Sequence, residues 1–367
     1  MLLVFPTGCT PHEPTPPSNT DTAARGLDTA IAGAMVSAAV PGAIIGIWGP
    51  EIEYVRALGV ADKSTGAPMR PDFYTRIGSE TKTFTVTAAL QLADSGRLRL
   101  DDPVADYVAA VPDGDRITLR QLAGMNSCLP NYTDSRAFQR AYLADPHRSF
   151  TPRQLLDYAF AEPAPCAPGT GFHYSNTNAV LLGLVVENVS GQPLPDYIRD
   201  HITGPLRLNH TSFPTTAEFP QPHAQGYTNW TPDGAEAVAT DWNPSWSWAA
   251  GAMISTLDDL HAWTIALATG ALLSDAMGHQ RLETAKVPGV ASDIGYGLGM
   301  VDLAGWIGHT GTVPGYGTVA VYLPEKRLTL VILVNTDMRF RGRDAAMTLA
   351  AAITRVVSPE HVFDVGL

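Results

Sequence analysis

Ser79 and Lys82 stand three residues apart in the stretch RIGSETKTFT, residues 76–85, of a chain that holds only four lysines, Lys63, Lys82, Lys286 and Lys326. A serine hydroxyl is a poor nucleophile at neutral pH and needs an adjacent base. Lysine fills that role only where burial or neighbouring cations favour its neutral form. The residues from Ser79 to Gly96 have the pattern of a helix entered at the serine and stopped at the glycine. On such a helix positions i and i+3 lie on neighbouring faces, so amine and alcohol can touch, and the serine sits at the positive end of the backbone dipole. Phe84, Val86 and the apolar run to Leu92 predict the burial that the chemistry requires. The same residues also fit a plain N-cap serine beside a solvated lysine.

Two further stretches favour chemistry. In GTGFHYSNTNAVLLGLVVE, Tyr174 and Asn176 fall on a loop immediately ahead of a helix, where a phenol can relay a proton and a carboxamide can hold a substrate amide. In GHTGTVPGYGTVAVY, His309, Thr310, Gly311 and Thr312 begin or edge a strand. Its glycine allows another backbone to approach, and its N–H groups can hold a carbonyl oxygen. Tyr227 and Asn229 repeat the tyrosine–asparagine spacing with no apolar helix behind them, and read as a loop coincidence.

The elements that must position these residues follow from periodicity. A helix is expected over residues 25–38, followed by strand-like runs GAIIGIWG and IEYVRALGVA. Near the other end come IGYGLGMVDL, GWIGHTG, GTVAVYLPE and RLTLVILVNTD, then a last helix DAAMTLAAAITRVV. The expectation is an α/β (α+β) fold: one antiparallel sheet flanked by N- and C-terminal helices, with an inserted, mostly helical lobe. The α/β lobe is read as residues 25–78 and 285–358, and the helical lobe as 79–284.

The chain has 367 residues, 45% of them hydrophobic, enough for a large core. A formal net charge of -12, with 24 Lys and Arg along the whole chain, argues against a nucleic-acid partner. Residues 1–24 read as a short export segment and tether: apolar MLLVF, then Thr7, Gly8 and Cys9, then the Pro/Thr-rich TPHEPTPPSNTDT. Cys9 is a lipidation candidate, which would place the protein outside the cytoplasm at the cell envelope. That leaves Cys128 and Cys166 as an even pair for an oxidising compartment, with two buried thiols as the other reading. No HExxH or CxxC spacing supports a metal site, and no cofactor is called for.

Serine-x-x-lysine, tyrosine-x-asparagine and histidine-threonine-glycine, in that order, resemble the penicillin-recognising serine enzymes, in particular the class C β-lactamase and D,D-carboxypeptidase group. The resemblance covers residues 25–355, and LRLDDPVADYV, ITLRQLAGMNSCLPNYT, EPAPCAPGTGFHYSN and AAGAMISTLDDLHAW look like further family landmarks. It implies that Ser79 attacks a carbonyl and carries the acyl group, that Lys82 accepts its proton, and that Tyr174 passes a proton to the leaving group. It also implies an oxyanion hole from the N–H groups of Ser79 and Thr312, with Asn176 and the strand from His309 holding a small-molecule or peptidoglycan-peptide substrate.

Three departures accompany the resemblance. His309 stands where β-lactamases of this class usually carry lysine. Val301 stands about where carboxypeptidase relatives carry an arginine for the substrate carboxylate. Cys128 replaces the glycine of the usual serine-glycine-leucine turn. Trp246, Trp248 and Trp306 offer an apolar wall in place of charge, with ordinary core packing as the other reading of each. The expectation is a serine hydrolase acting on peptide or lactam amides. An esterase of the same fold and a non-catalytic penicillin-binding-like protein are the alternatives. No G-x-S-x-G elbow is present for an α/β-hydrolase.

Overall fold

The computed structural model describes residues 19–289 and 294–364. Nine strands form one antiparallel sheet: β1 (Gly42–Gly49), β2 (Ile52–Asp62), β3 (Ala67–Pro68), β4 (Ala285–Lys286), β5 (Ile294–Tyr296), β6 (Val301–Leu303), β7 (Trp306–Val313), β8 (Tyr316–Leu323) and β9 (Leu328–Val334). Their spatial order is β3-β2-β1-β9-β8-β7-β6-β5-β4. Each C-terminal strand pairs with its sequence neighbour, and one long-range junction, β1 against β9 with Ile45 opposite Ile332, closes the sheet.

The central strands are buried on both faces, which explains their continuous apolar runs. Ile45, Ile47, Ile332 and Val334 face one core, together with Leu27 and Ile31 of helix α1 (Asn19–Ser37). Ile44, Val331 and Leu333 face a second core, shared with the helical lobe. The sheet and its terminal helices are thus as the sequence predicts, except that α1 begins at Asn19, within the stretch read as a tether. Cys9 lies outside the described residues.

Helix α2 (Thr81–Asp94) runs through the middle of the second core, with every residue from Thr81 to Leu90 buried. Its sequence TKTFTVT suits that position because each threonine hydroxyl finds a partner nearby. Thr83 donates to the Glu80 carbonyl at 2.7 Å, Thr85 to the Ala249 carbonyl at 2.8 Å and Thr87 to the Thr83 carbonyl at 2.6 Å. Phe84 stacks on Trp263 with ring centroids 3.9 Å apart. Helices α3 (Asn176–Ser190) and α4 (Leu257–Thr269) pack around this core, and α5 (Ala345–Val357) lies beside α1 on the other face.

Candidate active site

The turn that carries Ser79 rests directly on strand β7. Gly78 has φ +52°, and a Cβ there would lie 2.6 Å from the Thr312 nitrogen. A Cβ on Gly311 would lie 1.9 Å from the Ile77 oxygen and 3.0 Å from the Ser79 nitrogen. Two glycines therefore let the two backbones meet with the peptide nitrogens of Ser79 and Thr312 at the junction, as an oxyanion hole demands. Ser79 occupies a short 3-10 turn, Gly78–Glu80, that feeds α2, and it does not cap the helix with its side chain. Its hydroxyl is thereby left for other partners.

Those partners are at hand. Lys82 Nζ donates to Ser79 Oγ at 2.8 Å and to the Ala250 carbonyl at 2.8 Å. Lys82 is 0% exposed and makes no ion pair among the described residues, so burial holds its pKa well below the ordinary lysine value. The segment supplying the Ala250 carbonyl is fastened to the nucleophile's own segment. Ile77 N–H donates to the Met253 carbonyl at 3.0 Å, and Met253 N–H to Thr81 Oγ1 at 3.1 Å.

The Tyr174 ring lies over the same amine, its centroid 5.1 Å from Lys82 Nζ. Burial raises the phenol's pKa, so it stays protonated at neutral pH. Ser79, Lys82 and Tyr174, read from separate motifs, are brought together. Tyr174 is positioned by the turn at residues 125–131: His173 N–H donates to the Met125 carbonyl at 2.8 Å, and the Cys128–Cys166 disulfide ties this turn to the segment leading into Tyr174. Cys128 has φ +58°, the left-handed conformation that glycine adopts most easily, which explains why a glycine is usual there.

Asn176 is the first residue of α3 rather than a loop residue, with Ser175 at the cap position. Its amide Nδ2 lies 3.4 Å from Thr133 Oγ1, and its backbone N–H donates to Asn131 Oδ1 at 3.1 Å.

Strand alternation separates the residues of the third motif. Gly311 faces the nucleophile. His309 is 3% exposed, lies 6.3 Å from the Tyr174 ring between centroids, and has Nε2 3.2 Å from the Tyr296 hydroxyl. Burial, reinforced by the Lys82 amine, lowers the His309 pKa to about 3, so the imidazole is neutral. Thr310 and Thr312 instead send their side chains into a cavity of about 480 Å³ bounded by Arg339, Arg343 and Met347, and Thr312 Oγ1 donates to Asp344 Oδ2 at 3.2 Å. At Thr312 the backbone, not the hydroxyl, faces Ser79.

Of the two readings of the tryptophans, Trp246 and Trp306 take the core. Trp246 is 7% exposed and packs among Phe138, Tyr142 and Trp230 in the helical lobe. Trp306 is fully buried in the core shared with α1 and α5. Aromatic size and apolarity suit a core as well as a cleft, and here the core takes them.

Several residues of the site region carry no recognisable motif. Tyr296, on β5, contacts both Tyr174 and His309 with ring centroids 6.2 and 5.9 Å away. It stands across from Val301, the residue in place of the carboxypeptidase arginine. Glu80, next to the nucleophile, is fully buried, and desolvation pushes its pKa up to about 8, so it is protonated at neutral pH. Arg339 and Arg343 bring positive charge near Thr310 from a loop ahead of α5. Among the described residues no cluster of three His, Cys, Asp or Glu side chains is placed to hold a metal ion.

A hydroxyl against a buried amine whose pKa is depressed, with a phenol ring over that amine and two peptide nitrogens at the junction, is the equipment of a serine hydrolase that works by acyl transfer. The chain belongs to the Beta-lactamase family, whose model matches residues 27–354. It is similar to the crystal structure of a D-stereospecific amidohydrolase from Streptomyces sp., with TM-score 0.81 and 30% identity, covering 93% of this chain and 99% of that one. It is also similar to D-amino acid amidase from Ochrobactrum anthropi SV3, with TM-score 0.78 and 27% identity over 90% of this chain and 97% of that one. The Bacillus subtilis (strain 168) protein PbpX is 27% identical over 289 residues, 78% of this chain. The chain spans about two thirds of such relatives, 68% of PbpX and 63% of the Staphylococcus aureus (strain MW2) protein Flp.

Proposed function

We propose that this protein hydrolyses the amide bonds of D-configured amino-acid amides and short peptides through an acyl-enzyme on Ser79. The observation that carries this reading is Lys82, fully buried, without a counter-ion among the described residues and 2.8 Å from the serine oxygen. Ser79 Oγ attacks the substrate carbonyl while its proton passes to Lys82 Nζ. The N–H groups of Ser79 and Thr312 hold the oxyanion, a contribution of about 3–4 kcal/mol per donor in related chemistry. The Tyr174 hydroxyl gives its proton to the leaving nitrogen and is re-protonated from Lys82. The C–N bond breaks and the acyl group stays on Ser79 as an ester. Water then attacks that ester, losing a proton to the Lys82–Tyr174 pair; the C–O bond to Ser79 breaks, the pair returns the proton to Ser79 Oγ, and the acid departs.

The D-configuration is carried over from the activities named for the Streptomyces and Ochrobactrum proteins. The neutral imidazole of His309 leaves no fixed positive charge on this part of β7, which favours uncharged leaving groups: primary amides and esters over carboxylate-terminated peptides. A second reading, D,D-peptides or β-lactams, is supported by the penicillin-binding name of the similar Bacillus subtilis protein PbpX. A panel of D-phenylalanine amide, its L-enantiomer, a D-Ala-D-Ala peptide, a fluorescent penicillin and a nitrophenyl ester, run with Ser79→Ala, tests these readings. Turnover of the D-amide at least tenfold above the others supports the first, and preferential attack on the D,D-peptide or penicillin supports the second. Rapid turnover of the ester alone marks an esterase, and silence throughout a non-catalytic binding protein. We also propose an extracytoplasmic location, which the Cys128–Cys166 disulfide favours because such bonds persist in oxidising compartments.

A further inference from the structure

Arg76 lies three residues ahead of the nucleophile, on the short strand Thr75–Arg76 that leads into the Gly78–Ser79 turn. It is 4% exposed and makes no ion pair among the described residues. One terminal nitrogen, Nη2, spans the carbonyls of Thr240 at 3.2 Å, Ala217 at 3.3 Å and Trp242 at 3.5 Å, and the guanidinium carbon sits 4.8 Å from the centre of the Phe219 ring. Nε and Nη1 have no hydrogen-bond acceptor among the described residues. A guanidinium keeps its proton at every ordinary pH, so this is a buried positive charge with donors left over. Such a group is expensive unless something negative meets it.

The protein's own groups do not. The nearby carboxylate of Asp241 belongs to an exposed residue and acts only at a distance, and the phenol of Tyr316 donates to the Ala224 carbonyl. Asp337, whose charge reaches Tyr142, is occupied by the Gly315 N–H at 2.9 Å and Thr228 Oγ1 at 3.1 Å. What Arg76 does face is a small cavity shared with Tyr142, Trp242, Trp246, Ser247 and Val313, with room for one water-sized body. Tyr142 is 1% exposed. Its hydroxyl is approached by the Trp246 indole and has no acceptor for its own proton. Two guanidinium nitrogens and one hydroxyl, all donors without an acceptor among the described residues, thus belong to the residues that line a space too small for a carboxylate or phosphate.

We propose that Arg76 and the Tyr142 hydroxyl form a buried binding site for a monatomic anion of the halide class, next to the catalytic turn. Three donors and a compensating positive charge satisfy the anion, and the anion neutralises the guanidinium. Water could accept some of the same hydrogen bonds but would leave the charge unopposed. The site also joins parts of the catalytic machinery. Arg76 is continuous with Ser79, Val313 follows Thr312, and Trp246 and Ser247 precede the Ala250 carbonyl that receives Lys82. An occupied site would brace the two backbones that form the proposed oxyanion hole.

Binding is read independently of any substrate. The full chain is exchanged into sodium gluconate and titrated with sodium chloride or bromide at constant ionic strength while thermal unfolding is followed. The expected result is a saturable rise in Tm, about 3–5 °C at a hundredfold excess over the dissociation constant, with halide and not with gluconate. Arg76→Gln should abolish the halide response. Should that variant fail to fold, Tyr142→Phe, which deletes one donor and little volume, should weaken the halide midpoint about tenfold. Crystals soaked in bromide should show its anomalous signal within hydrogen-bonding reach of Arg76 Nη1 and the Tyr142 hydroxyl. A Tm that follows ionic strength alone, or a crystal with water at this position in the presence of bromide, would overturn the proposal.

Discussion

Gly311→Ala perturbs the proposed oxyanion hole with the least change in composition. The added methyl would sit 1.9 Å from the Ile77 oxygen, where ordinary contact begins at 3.4 Å, so the two backbones must part by about 1.5 Å. The obstacle is backbone on both sides and cannot rotate away. A hydrogen bond of ordinary length stretched by that much is no longer one, so one of the two N–H donors is lost to the transition state. The expected cost is about 3–4 kcal/mol, which slows turnover roughly a hundredfold to a thousandfold. Gly191→Ala is the control: its φ is +73° with nothing within 4 Å of the added carbon, so it should cost about 1 kcal/mol of stability and leave turnover unchanged. Steady-state hydrolysis of whichever substrate the panel identifies, with Tm measured for each variant, separates the two. A Gly311→Ala enzyme whose turnover stays within threefold of the parent would refute the reasoning.

Other perturbations test neighbouring parts of the account. Lys82→Ala should lower the acylation rate at least a thousandfold while circular dichroism remains native, and the parent's kcat/KM should fall on acidification as the depressed lysine takes up its proton. His309 is held at a pKa of about 3 against 6.5 when unfolded, so below pH 6.5 the unfolded chain binds the extra proton. Its contribution to stability is complete above pH 6.5 and is lost as pH falls toward 3, at no more than about 1.4 kcal/mol per unit, and denaturant titrations of His309→Gln should show a flatter pH profile. Reducing the Cys128–Cys166 bond, which closes a separation of 38 residues, should lower stability by about 3–4 kcal/mol, read as a lower Tm in reductant.

The parts of this molecule legible in its sequence are those set by local spacing. Serine and lysine at i and i+3 must approach wherever a helix forms, and apolar runs such as GAIIGIWG and RLTLVILVNTD can only be strands buried on both faces. What escapes is set by partners distant in the chain. Tyr296 meets His309 across the paired strands β5, β6 and β7, and the burial of Arg76 depends on carbonyls about 140 to 166 residues away. In β7 Thr310 is half-buried and Thr312 exposed, yet small and polar residues fill both faces of HTGT, so no apolar alternation reveals that these two turn away from the nucleophile toward α5. Trp246 packs in the core rather than along the cleft, because an indole's preference for burial does not say which apolar space it fills.

The most direct test is the mass of the intact protein trapped during turnover, with the modified peptide mapped by fragmentation. A slowly released acyl donor should add one acyl group to the peptide containing Ser79, and Ser79→Ala should add none. An adduct on another residue, or substrate turnover that survives in Ser79→Ala, would contradict the assignment of this serine as the nucleophile.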